Sequence, residues 1–191
     1  MDAEDLLLRE FLGIRTRELT EKSARGAGFL SDVVVEWESE ANWASDCRTV
    51  FLRTGLVLGD GGALAPLRLA TMAFVGARVG TGRQWWPWIS LRDEVRAIVH
   101  LIDSKVSGPV NLVGPTPATA TDVTTELAAQ LGRPHLFVIP AWAIGLLGAA
   151  GRELLLSSQR LFPTVLEKDG FTFEHRTVAD ALRWVIGGKR P

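Results

Sequence analysis

The sequence predicts an α/β fold built on a parallel sheet, and three observations predict it. Apolar runs bounded by glycine and proline alternate with helical periodicities from residue 29 to 158. The run 49–58 (TVFLRTGLVL) is apolar almost throughout, as a strand buried on both faces requires. With 47% hydrophobic residues, the 191-residue chain can bury a sizeable core.

Charge and cysteine content narrow the function classes. A net charge of −1 and the lack of a basic run exclude a nucleic-acid binder held by counterion release. Cys47 is the single cysteine, which rules out an internal disulfide framework or a multi-cysteine zinc site. A reducing, cytoplasmic compartment is the expectation. Residues 1–18 carry Asp2, Glu4, Asp5, Arg9, Glu10, Arg15 and Arg17, so no secretory leader is expected there. Between Arg133 and Arg152 lie 18 residues without an acid, Lys or Arg, close to the lower limit for a membrane span. Pro134, His135, Pro140 and several small residues favour a buried strand followed by a helix instead.

In chain order, 3–12 is weakly helical and 13–28 is a polar loop. Over 29–44, Leu30, Val33, Val34, Trp37 and Ala41 recur at helical spacing, with Glu36, Glu38 and Glu40 toward the polar side. The strand 49–58 ends in the turn Gly59-Asp60-Gly61-Gly62. A helix is predicted over 63–78, a turn at 80–82, a strand over 85–91 and a helix over 93–104. A strand at 110–113 precedes a helix at 121–131, which Asp122 favours through the helix dipole and Gly132 stops. A strand at 136–139 leads into a long helix with Pro140 at its first position. The last helix spans 178–185, and the tail 187–191 frays.

Four groups of residues are candidates for chemistry. Gly145, Gly148 and Gly151 have a dinucleotide-loop spacing, with Glu167 and Asp169 following. Yet Pro140 to Ile144 separate them from the preceding strand, so close helix packing is the better reading. Gly59-Asp60-Gly61-Gly62 lies where α/β ligand crevices form; it fits a phosphate cradle, and fits a sharp turn better. Arg83-Gln84-Trp85-Trp86-Pro87-Trp88 joins a guanidinium fork to stacking rings, which suits a nucleotide or sugar phosphate and equally suits core packing. Arg53 follows three apolar strand residues; a hydrogen-bonding role at the strand comes first and a ligand contact second. His100, His135 and His175 have no close metal-ligand spacing, and no metal site is expected.

From Leu19 onward the order of segments resembles a known family. Leu19-Thr20-Glu21, Phe29-Leu30, Glu36-Trp37-Glu38 and Leu52-Arg53-Thr54-Gly55-Leu56-Val57-Leu58-Gly59 are followed by Gly82-Arg83-Gln84-Trp85, Trp88-Ile89, Asp93 and Gly108-Pro109-Val110-Asn111. The pattern is similar to the nucleoside-diphosphate-sugar epimerase-like branch of the extended short-chain dehydrogenases. Leu154 to Arg160, Pro163, Leu166, Gly170 to Phe173 and Ala181-Leu182 resemble the small C-terminal domain of one subfamily. The resemblance implies the second half of a Rossmann-like parallel sheet with a small substrate-side α/β subdomain, in which strands near 85–90 and 136–139 form a smaller sheet over the substrate cleft. Residues 1–18 do not match, 19–132 correspond to the sheet half and substrate-side elements, 133–186 to the C-terminal domain, and 187–191 to a tail.

The resemblance also implies a nucleotide-sugar-like ligand, with Arg83, Gln84, Trp85, Trp88 and Arg53 at the cleft beside Gly59, Asp60, Gly61 and Gly62. NAD or NADP is implied when an N-terminal Rossmann half is present, and none is expected for this chain alone. The superfamily's Tyr-x-x-x-Lys is impossible, because the chain has no tyrosine, and Ser90 stands where the family usually has a histidine. A parallel strand with an open edge would need a protein partner or self-association to cover it. An interaction module derived from the fold is the alternative. No membrane or nucleic-acid partner is expected.

Overall fold

The computed structural model describes residues 17–24, 26, 29–41, 47–146, 148, 152 and 155–188. The expected helix at 3–12 and the last three residues of the tail lie outside them. Ten short strands and seven helices make up the described part. Strand β1 (Glu18–Leu19) precedes helix α1 (Phe29–Ala41), which bears out the helical periodicity that begins at Phe29. The apolar run 49–58 then becomes two strands, β2 (Val50–Thr54) and β3 (Leu56–Leu58). Gly55 divides them: a Cβ there would lie 2.7 Å from the Pro87 carbonyl oxygen, so only glycine allows the chains so close.

Helix α2 (Leu64–Met72) is followed by strand β4 (Gly76–Val79), where the sequence predicted helix through residue 78. The helix stops because Phe74 takes a positive φ of 64° and the Val75 amide closes back on Ala70. Strands β5 (Trp85–Trp86) and β6 (Trp88–Ser90) lead into helix α3 (Leu91–Asp103). Ser90 caps α3 by accepting from the Asp93 amide at 3.1 Å, a contact worth about 1 kcal/mol. Strand β7 (Gly108–Leu112) and strand β8 (Ala118–Thr119) precede helix α4 (Ala120–Gln130), whose Thr119–Asp122 capping box sets its start. Strand β9 (His135–Ile139), helix α5 (Ala141–Gly145), strand β10 (Arg160–Leu161), helix α6 (Thr164–Lys168) and helix α7 (Val178–Ile186) complete the chain. Pro140 is the residue before α5, and α5 is short where a long helix was expected.

The parallel pairing of β2 with β7 runs in register from Val50↔Gly108 to Thr54↔Leu112, as the two apolar runs predicted. The smaller strands pair differently from expectation. Segments 85–90 and 136–139 were to share one sheet; instead β6 pairs parallel with β3, β5 antiparallel with β8, and β9 parallel with β4. Strand β4, read as helix in the sequence, is the partner that β9 finds.

Two cores result. One gathers Leu58, Leu64, Trp86, Trp88, Val123, Leu127 and Leu182 between the small strands, α4 and α7. The other joins Val110 and Leu112 of β7 to Ala97 and Leu101 of α3 and to Leu166, Phe171 and Phe173. No helix among the described residues is long and apolar enough to cross a membrane.

Candidate functional site

The segment 158–162 draws the candidate residues into one neighbourhood. Ser158 Oγ accepts from the Trp85 amide at 3.1 Å, and the Gln159 amide donates to the Trp85 carbonyl at 3.2 Å. Arg160 then lays its guanidinium over the Trp85 ring, 5.1 Å from the centroid, and 5.4 Å from that of Phe162. Strand β10 pairs parallel with β1. The Asn111 side-chain amide donates to the Phe162 carbonyl at 3.1 Å, and Asn111 is the register partner of Arg53. Trp85 and Arg53, 32 positions apart in sequence, are thus linked through one short segment.

Arg160 has the geometry of an anion contact. Both rings hold its planar head, and Glu18 meets one terminal nitrogen at 3.3 Å. Its Nε is buried with no hydrogen-bond partner among the described residues. With Nε covered, the side chain is still 31% exposed, so a cation stands at the surface beside the Trp85 and Phe162 rings. Arg160 was not picked out as a site residue from sequence; the one available signal was an arginine just before the Leu161-Phe162-Pro163 turn.

Arg53 donates from Nε and Nη2 to the two carboxylate oxygens of Glu38 at 2.7 and 2.8 Å. That pair, with Glu21 nearby, holds the guanidinium more firmly charged than usual. The expected hydrogen-bonding role at the strand is what the structure gives Arg53. Arg83 is exposed, and its side chain makes no ion pair among the described residues.

Two candidates do not line a cleft. Gln84 is buried, donating from Nε2 to the carbonyls of Val79 and Leu155 at 3.0 and 3.1 Å. Trp88 is 1% exposed and donates from Nε1 to the Thr116 carbonyl at 2.9 Å. Their polar atoms tie loops together inside the protein, so they support the site from within. The ring of Trp88 packs so tightly on Gly114 that a Cβ there would sit 2.8 Å from it.

The turn Gly59 to Gly62 behaves as a turn. Gly59 is buried against Leu91, Gly62 has φ 60°, and Asp60 pairs with Arg68 at 3.5 Å. A carboxylate at this position repels a pyrophosphate, so the loop does not fit a dinucleotide. The other glycine run does not fit either: Gly145 closes α5 and Gly148 has φ 80°, while a pyrophosphate turn must join a strand directly to a helix N-terminus. Gly151 lies outside the described residues. No pyrophosphate cradle therefore stands among the described residues.

Ser90, His175 and Asp93 meet in the interior with the residue types of a nucleophilic triad. Ser90 Oγ lies 2.9 Å from His175 Nδ1 and 3.2 Å from Asp93 Oδ2. Serine and carboxylate share the same side of the imidazole, so histidine cannot relay a proton from one to the other. Ser90 is fully buried as well. Asp93 instead accepts from the amides of Glu174 and His175 at 2.9 and 2.8 Å and from Arg96 at 2.6 Å, which pins residues 172–175 to α3. No group of His, Cys, Asp and Glu able to hold a metal occurs among the described residues.

Comparison with known proteins bears on the fold. Residues 139–185 match the family described as a domain of unknown function, DUF1731. An epimerase family protein of Mycobacterium tuberculosis is 41% identical over 173 residues, covering 88% of this chain and 58% of that protein. The crystal structure of human epimerase family protein SDR39U1 with NADPH superposes with a TM-score of 0.86 at 28% identity, over 91% of this chain and 60% of that one. The nucleoside-diphosphate sugar epimerase from Corynebacterium glutamicum superposes at 0.71 with 32% identity, over 92% of this chain and 36% of that one. The chain spans about 58% of the length of such curated relatives.

The fold is the Rossmann-like α/β architecture of the epimerase-like extended short-chain dehydrogenases/reductases. Over most of its length the chain resembles epimerase family proteins, and its residues 139–185 match the DUF1731 domain.

Proposed function

We propose that this chain is the substrate-side part of an epimerase-family protein and binds a nucleotide-sugar-like molecule. The observation that carries the reading is Arg160, a partly exposed cation beside the rings of Trp85 and Phe162. Its charge attracts a phosphate, and the exposed Arg83, two residues before the half-buried Trp85, offers a second cation. A cytoplasmic location is part of the proposal, in keeping with a chain that has a single cysteine, Cys47.

Catalysis by this chain alone is not part of the proposal. Hydride transfer in this class uses a tyrosine as acid/base, and the chain has none. NAD or NADP is expected to bind the chain weakly or not at all. Dinucleotide affinity rests on several charge-assisted hydrogen bonds of roughly 1.5–3 kcal/mol each, and the described residues lack the turn that supplies them. The second reading, an interaction module, draws on one feature: Leu52 on β2 and Trp37 on α1 are exposed large apolar residues, as on a surface that meets another segment.

Titration calorimetry with UDP-glucose, UDP and NADPH tests both statements. UDP-glucose and UDP should bind at sub-millimolar concentration, with Arg160→Ala weakening them at least about tenfold, or about 1.4 kcal/mol. NADPH should show no saturable heat. Equal binding of UDP-glucose by the wild type and the variant would defeat the site, and a micromolar NADPH complex would defeat the cofactor statement.

A further inference from the structure

We propose that Glu18 is a specificity residue of the Arg160 site, its carboxylate offsetting the guanidinium charge so that the site gains nothing from a second negative charge on the bound phosphate. The inference rests on the phosphate reading of Arg160 and sharpens the ligand class. A pyrophosphate substituted at both ends is accepted on its other contacts, and a free nucleoside diphosphate is denied the advantage of its extra charge.

Strand register brings the carboxylate to the site. β1 and β10 pair in parallel, with Glu18 opposite Arg160 and Leu19 opposite Leu161. The Phe162 amide donates to the Leu19 carbonyl at 3.0 Å and secures the pairing beyond Leu161. Residues opposite each other in register share a face of the strand pair. The Glu18 carboxylate accordingly meets Arg160 Nη1 at 3.3 Å. It is the one carboxylate paired with this guanidinium among the described residues, and the rings of Trp85 and Phe162 lie beside the same group.

Exposure decides how the pair behaves. The Glu18 side chain is 63% exposed and that of Arg160 31%. An ion pair this open is worth no more than about fivefold in an equilibrium. An incoming phosphate therefore displaces Glu18 from the guanidinium at small cost. The carboxylate nevertheless stays close, because backbone pairing and not the ion pair holds β1 in place. A bound phosphate then has a cation and an anion as neighbours. Attraction by the first and repulsion by the second both scale with the ligand's charge, and they oppose each other.

Phosphate chemistry turns this balance into a choice. A terminal phosphate has a second pKa of about 6 and carries nearly two charges at neutral pH. A phosphate substituted on both sides has a single ionisable oxygen and carries one. A free nucleoside diphosphate ends in the first kind, and a nucleotide sugar holds only the second. Arg160 alone would favour the free diphosphate. With Glu18 beside it, selection passes to contacts with the sugar.

Titration calorimetry of the full chain with UDP-glucose and UDP, at fixed ionic strength, tests it. Glu18→Gln keeps the shape of the side chain and removes its charge. It should tighten UDP-glucose about twofold and UDP about fourfold, so that the ratio of their dissociation constants moves about twofold toward UDP. Asp103→Asn removes an equal charge from the exposed C-terminal end of α3 and should leave that ratio as in the wild type. An unchanged ratio in Glu18→Gln overturns the specificity role, and the phosphate reading survives it if Arg160→Ala still weakens both ligands. A shift in Asp103→Asn as large as in Glu18→Gln also overturns it, because net charge rather than position would then set the ratio. Binding that Arg160→Ala leaves untouched, or no binding by any of these proteins, overturns the phosphate reading and this inference together.

Discussion

On the β7 side of the main strand pair, the chain closes its own edge. The Glu21 carboxylate, 8% exposed, accepts from the Asn111 amide at 3.2 Å and from the Val165 amide at 3.1 Å. Helix α6 and the buried Phe171 and Phe173 then cover the sheet and α3, and Asp93 fastens them. On the β2 side, Leu52 is 43% exposed, and Val34, Val35 and Trp37 of α1 are exposed too. The contrast separates two kinds of surface. The described residues themselves supply the contacts of 162–175 with the sheet and α3, whereas the β2 side offers apolar surface with no cover among them.

The largest way to break the closed side is Asp93→Ala. It strands the amides of Glu174 and His175 and removes the Arg96 pair, at a cost of about 3 kcal/mol in urea denaturation. Loss below about 1 kcal/mol would mean that residues 172–175 hold by packing alone. Glu21→Ala comes next, with a cost of about 2 kcal/mol, because the buried Asn111 amide and the partly buried Val165 amide lose their acceptor. Leu52→Lys, the matching change on the β2 side, should move stability by less than about 0.5 kcal/mol. If the two cost the same, the two sides do not differ as described.

The smallest effect sharpens the boundary between the sides. Glu94 sits beside Thr54 at the end of β2, donated to by the hydroxyl at 2.9 Å, with its second oxygen buried and unpartnered among the described residues. Burial pushes its carboxyl above the ordinary range. A raised folded value means that the native state holds the proton more tightly than the unfolded chain. The resulting stability is present below the unfolded value and lost as pH rises through the folded one. Glu94→Gln should therefore be more stable than wild type at neutral pH, with the advantage shrinking as pH falls below the carboxylate range. Parallel stability curves for the two proteins across that range would show that the carboxyl titrates as it does in the unfolded chain.

The site was partly legible. Arg53 and Trp85 were visible because an arginine in an apolar strand and an arginine beside tryptophans break the local pattern. Gln84 and Trp88 carried the same signal and proved interior, since hydrogen-bond partners at Leu155 and Thr116 absorb their polar atoms. Arg160 escaped notice because nothing nearby in sequence shows that two aromatic rings will enclose it. Strand β4 escaped because Gly-Ala-Arg-Val has no period of its own and follows a helix without a glycine stop.

By itself the sequence determined the α/β class, the parallel β2–β7 pair, and the positions of α1, α3, α4 and α7. Each rests on local physics: side-chain period, caps at Ser90 and Thr119, and apolar runs long enough to need burial on both faces. Only the tertiary structure decided which small strands pair, which polar side chains turn inward, and what surrounds Arg160. Those outcomes depend on groups far apart along the chain, as with Glu21 and Val165, 144 positions apart. Such contacts leave no periodic trace, because their energy is realised only once both segments have been brought to the same place.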